Sequence, residues 1–217
     1  MSKDPDYSQA TRQCWWTSLR EYTLWTNLSA AAWDELQSRG VLQAPWARSE
    51  IDFRPAYLWM AAQMRQRLGP PPRPGICPLW AWLQIDTPKP RQRRPDLRER
   101  GHIPAGSQGF RVEFVVPAEQ VLLSDFQLWH HVLNHFHLPR DEAEDLAFEE
   151  EFGDLHLSWQ EPEPLDPLQK KARRRIRRSW DHIFELEQHQ HPAQQIQACL
   201  WQVEAAQVRE VTSFRGR

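Results

Sequence analysis

The chain has 217 residues, of which 40% are hydrophobic, with 12 Trp, 9 Phe and 3 Tyr; that is ample area for a packed core, which excludes global disorder and fits one domain with additions. Lys plus Arg (27) against Asp plus Glu (29) leaves a formal charge of -2, so net charge alone points to neither nucleic acid nor membrane. Three scattered cysteines (Cys14, Cys77, Cys199) make neither a disulfide framework nor a zinc pattern, and no apolar run reaches the roughly 20 residues that span a bilayer. The expectation is a cytoplasmic protein without a membrane segment.

Residues 1–19 read as an N-terminal tail and 20–217 as a single domain. REYTLWT (20–26) is rich in β-formers and suits a strand, after which Ser29 as N-cap and Gly40 past the end bound a short helix. Pro55 opens a second helix that stops at Gly69, and GPPPRPG (69–75) is an extended connector. LWAWLQI (79–85) reads as a buried strand; the proline-broken basic segment KPRQRRPDLRERG (89–101) reads as a surface loop within a longer connection near 86–109. FRVEFVV (110–116) alternates cleanly. Pro117 stops it, and Ser124 with Gln127 spells a capping box for a helix whose stripe is Phe126, Trp129, Leu133 and Phe136. An acidic segment (141–154) precedes a helix begun by Asp166 and Pro167, with Leu168, Ala172, Ile176, Trp180 and Ile183 facing inward and a run of bases outside. IQACLWQV (196–203), a turn at 204–207 and a short strand near 211–214 close the chain. The expected fold class is α+β: one twisted, largely antiparallel sheet flanked by helices.

Within WHHVLNHFH, His131 and His135 stand at i and i+4, the spacing of two helical metal ligands, but they fall on the side facing water and no HExxH accompanies them, so no metal is expected. His130 and His137 fall at the edge of the apolar stripe, where a structural imidazole bonded to a backbone carbonyl competes with a functional one. With 8 Gly there is neither GxGxxG nor GxxxxGK[ST], and no GxSxG elbow, which removes Walker, Rossmann and nucleophile-elbow enzymes. Gln197 shares an apolar strand face with Cys199, Trp201 and Val203, and a buried amide must bond either the protein or a ligand. KKARRRIRR (170–178), with Arg173, Arg174, Arg177 and Arg178, is either a solvated face paired with the acidic segment or a footprint for nucleic acid or an acidic protein.

AYLWMAAQM (56–64), VEFVVPAEQVLLSDFQLWHHVLN (112–134), SWDHIFEL (179–186) and IQACLWQVEAAQVREVTSF (196–214) together resemble an uncharacterised bacterial family catalogued as domain of unknown function 3841. That resemblance implies one fold and no activity. The element order is also similar to NAD-dependent ADP-ribosyltransferase toxins, in which a first-strand residue and aromatics grip the nicotinamide end and a late-strand acid supports the cationic sugar. Carried over by position, the resemblance implies NAD as cofactor. Tyr22 and Thr26 fall on the gripping strand, Tyr57 is a stacking ring, and Gln197 stands at or beside the acid. His130 and Asn134, flanking the helix stripe, are a catalytic and a cofactor-binding candidate. The late strand departs from that pattern by carrying an amide where a carboxylate would stabilise an oxocarbenium-like charge.

Overall fold

The computed structural model describes residues 16–85, 94–97, 100–155, 157, 159, 165–187 and 195–217. Strand β1 (Glu21–Ser29) ends at the residue that opens α1 (Ala30–Arg39): the Ser29 Oγ accepts from the Ala32 N–H at 3.3 Å. The helix closes on Gly40 at φ 72°, a left-handed turn that a side chain would resist. Two short strands follow, β2 (Val41–Leu42) and β3 (Ala44–Pro45), then α2 (Arg54–Leu68), β4 (Ile76–Cys77) and β5 (Leu79–Gln84). The chain continues through β6 (Gln108–Pro117), β7 (Leu122–Asp125), α3 (Phe126–Leu133), α4 (Glu142–Phe152) and α5 (Pro167–Ser179), and ends in β8 (Ile196–Leu200), β9 (Val203–Glu204) and β10 (Val208–Arg215).

Six strands form one sheet in the order β10-β6-β1-β5-β8-β7, every pairing antiparallel. The expected α+β class and antiparallel sheet hold. Cross-strand partners share a face. Tyr22, Leu24 and Leu28 of β1 therefore join Val112 and Phe114 of β6 and Ala198 of β8 on one side, against Leu36 and Trp33 of α1. The other side carries Trp80, Leu122 and Cys199 of β5, β7 and β8, covered by Met60 and Met64 of α2, Trp129 of α3 and Ile176 of α5. Two apolar cores thus sandwich the β5-β8-β7 half of the sheet.

Several local expectations are corrected. Trp16 is buried in the first core and its carbonyl accepts from the Tyr22 hydroxyl at 3.3 Å, so the fold begins before residue 20; residues 1–15 lie outside those described. Of the basic loop, only 94–97 and 100–101 fall among the described residues. Ser124 is not the cap of α3. It pairs with Gln197 as part of β7, and Asp125 caps the helix, its Oδ1 accepting from the Gln127 and Leu128 N–H groups at 2.8 and 3.0 Å. Phe136 is 60% exposed because α3 ends at Leu133, and Leu168, at the first turn of α5, is exposed as well. Val203 belongs to the opposite core from Cys199, because β8 ends at Leu200 and β9 turns away to pair with β2.

Candidate functional site

Pleat parity decides the fate of the expected nicotinamide grip. Trp25 of β1 faces Trp82 of β5, and Trp82 faces Gln197 of β8, so Gln197 lies on the Trp25 side of the sheet. Tyr22 and Thr26, alternate with Trp25, lie on the other side. Tyr22 is buried in the first core, and the Thr26 Oγ1 donates to the Trp80 carbonyl at 3.0 Å. Gln197 is 4% exposed, and its Nε2 donates to the Ser124 Oγ at 3.1 Å. Its cross-strand neighbours are Trp82 and Ser124, and the amide is met by the protein itself. Tyr57 lies on the Gln197 side, but its ring stacks on Trp129 at 6.2 Å and 14° and meets Trp80 at 5.7 Å. Burial raises its phenol pKa, as expected of a ring within the second core. Tyr22, Thr26 and Gln197 therefore share no cleft.

His130 and Asn134 do come together. Along with Gln127, His131 and Phe136 they line an open concavity of about 390 Å³. Both residues are exposed. The His130 Nδ1 lies 3.3 Å from the Gln127 carbonyl, and the Asn134 Nδ2 donates to the His130 carbonyl at 2.8 Å, which finishes the helix. The i,i+4 pair dissolves at the same point. His135 is past the helix at φ 59°, its ring stacked on Trp159 at 4.6 Å and 16°, while the His131 Nδ1 lies 3.2 Å from the His137 carbonyl. His137 has a side chain only 6% exposed, stacked on Phe148 at 4.0 Å. Among the described residues no group of three or more His, Cys, Asp or Glu is placed to hold a metal. For the free thiols, burial raises the pKa of Cys77 and of Cys199, which disfavours a thiolate nucleophile at either position.

Helix α5 divides its bases into three rows. Ala172, Ile176 and Ser179 point inward. Lys171 and Arg175 turn to α4, where the Glu151 carboxylate accepts from both, the Arg175 Nη1 at 3.0 Å; these contacts, the Lys171 hydrogen bond first, pull the Glu151 pKa down. Arg173 and Arg177 lie over the Trp159 ring, with guanidinium carbons 5.1 and 5.4 Å from its centroid. Lys170, Arg174 and Arg178, spaced by four, form an exposed row beside Arg177. Among the described residues, Lys170, Arg174, Arg177 and Arg178 make no ion pair. The acidic segment thus neutralises one flank of the basic run and leaves the other open to solvent.

The family model described as Domain of unknown function (DUF3841) matches residues 23–209. The chain belongs to that family. No curated protein and no solved structure matches it. Among the described residues of this DUF3841 chain, no helix is long and apolar enough to cross a membrane.

This DUF3841 sheet also holds a polar cluster that sequence reasoning missed, on the Trp25 side of β1, β6 and β10. Arg111 is 8% exposed; its Nη1 donates to the Pro95 carbonyl at 3.0 Å and its Nη2 to the Thr212 Oγ1 at 3.2 Å. The Trp25 indole donates to Glu113 Oε2 at 2.9 Å, and Arg94 stands 3.8 Å from Glu210. Burial, then Arg94, lowers the Arg111 pKa against the pull of Glu210, Glu113 and Asp96. In FRVEFVV these charges read as the solvent side of an amphipathic strand. Their one signal was the nearby proline-rich segment, whose residue Pro95 covers them.

Proposed function

We propose that this chain is a nucleic-acid-binding module whose α5 face holds a phosphate backbone. The observation that carries the reading is the open row: four cations, Lys170, Arg174, Arg177 and Arg178, exposed on one helix face with no carboxylate partner among the described residues, while Lys171 and Arg175 share the Glu151 carboxylate. Guanidinium groups suit phosphate because their fork of N–H donors pairs two oxygens at once.

A fluorescently labelled single-stranded oligonucleotide, titrated from 50 to 200 mM salt, tests this directly. Four phosphate contacts correspond to an affinity loss of about two decades over that range. The double variant R174A/R178A is expected to weaken binding and to lower the salt slope by about two counterions. A flat salt response, or binding untouched by R174A/R178A, would overturn the reading. Binding of an acidic polypeptide with no binding of the oligonucleotide would reassign the same face to an acidic protein.

A further inference from the structure

His135 sits behind the basic face, in a turn that the helix pattern did not foresee. Its backbone is left-handed at φ 59°, its ring lies flat on Trp159, and Trp180 approaches to 6.0 Å. The Nε2 atom is buried without a hydrogen-bond partner among the described residues. The Trp159 ring that carries the imidazole also carries the guanidinium groups of Arg173 and Arg177. Among the described residues these two arginines of α5 are the charged groups facing His135, whereas Trp159 and Trp180 contribute rings alone.

We propose that the α5 face takes up its anionic partner together with a proton, and that His135 is the group that binds it. The inference rests on the reading of α5 as a phosphate-binding face. In the free protein a proton on the buried Nε2 would put an imidazolium opposite two guanidinium charges, so the neutral ring is favoured. Burial first, then Arg177 and Arg173, holds its pKa below the ordinary value. A phosphodiester seated on the open row at Arg177 offsets that guanidinium's contribution and leaves the burial contribution in place. The ring then gains its second N–H from solvent at a higher pH than before. Linkage makes this reciprocal: if the partner raises the proton affinity of His135, the proton raises the affinity of the partner by the same factor. Phosphodiesters keep their charge throughout the range in which an imidazole titrates, so the protein side supplies the proton dependence.

The probe is a ten-residue oligothymidylate, whose base does not titrate near neutrality. Calorimetry at about pH 6 in two buffers of different ionisation enthalpy reads the protons taken up per complex, and the His135 ring resonance, followed with and without oligonucleotide, reads its titration directly. The wild type is expected to take up a fraction of a proton, to show an upward shift of the His135 titration on binding, and to bind a few-fold more tightly at pH 5.5 than at pH 7.5, within the limit of about tenfold per pKa unit. H135N keeps a side chain tolerated in the left-handed region and carries no titrating ring. It is expected to bind like wild type at pH 7.5 and to lose the uptake, whereas H137N retains it. Uptake unchanged in H135N, or a His135 titration that does not move on binding, would overturn the inference while leaving the phosphate-binding reading intact. No binding by wild type at pH 7.5 and 50 mM salt would overturn that reading, and the inference with it.

Discussion

Trp129 is 3% exposed, with its ring 4.9 Å from Trp80 and stacked on Tyr57, so it fills the second core between α2 and the sheet. W129A leaves a cavity that the neighbouring rings cannot close and is expected to cost about 3 to 5 kcal/mol in a urea melt. Its neighbour His130 is exposed and bonds only within its own turn, so H130A is expected to stay within about 0.5 kcal/mol of wild type. The buried imidazoles behave differently. His135 is held below its ordinary pKa by burial, then Arg177 and Arg173; His137 is held below it by burial, with Arg175 adding and Glu144 and Asp145 opposing. The unfolded chain therefore binds more protons than the folded one in the window between each depressed value and about 6.5. Stability from these rings is fully present above about pH 6.5, falls as pH drops through that window, and levels off below the folded values. Urea midpoints from about pH 8 to about pH 5 check this, and H135N/H137N is expected to flatten the fall.

At the scale of elements, the sequence offers Ser124 as the N-cap of α3, and sheet pairing moves the role to Asp125. Because Ser124 is spent on Gln197 across the β7–β8 ladder, the helix N–H groups fall to Asp125. D125A is expected to cost about 0.5 to 2 kcal/mol as a lost cap. S124A is expected to cost about 1 to 3 kcal/mol as a lost partner for a buried amide. The two separate by helix content, since only D125A frays α3, which amide exchange in residues 126–129 detects. Elements set by local chemistry were legible for the same reason: Ser29 and Gly40 bound α1, Asp166 with Pro167 opens α5, and strict alternation marks β6. The end of α3 was not legible, because the apolar spacing runs on to Phe136 while the backbone has already turned at His135. Strand β7 was hidden by length, four residues being too few for alternation to show.

Over the whole molecule, the arginine face was legible as composition and the nicotinamide grip was not testable that way, because its residues are 175 apart in places and only register reveals their faces. Which bases remain open is likewise a matter of packing: α4 meets α5 so that one acidic residue, Glu151, holds Lys171 and Arg175. These contacts lie at the surface, open to solvent on the Lys171 side and half-buried at Arg175, so their effect lies in blocking the two cations more than in stabilising the fold. E151Q keeps the side-chain shape and removes the charge. It is expected to leave the melting temperature nearly unchanged, and to tighten oligonucleotide binding while steepening its salt dependence by up to about two counterions as Lys171 and Arg175 join the open row. Titrations of wild type, E151Q and R174A/R178A under one set of salts place the three slopes in order, E151Q steepest and the double variant shallowest. An E151Q slope equal to that of wild type would mean that the phosphate path does not reach the α4 flank, and would confine the interface to Lys170, Arg174, Arg177 and Arg178.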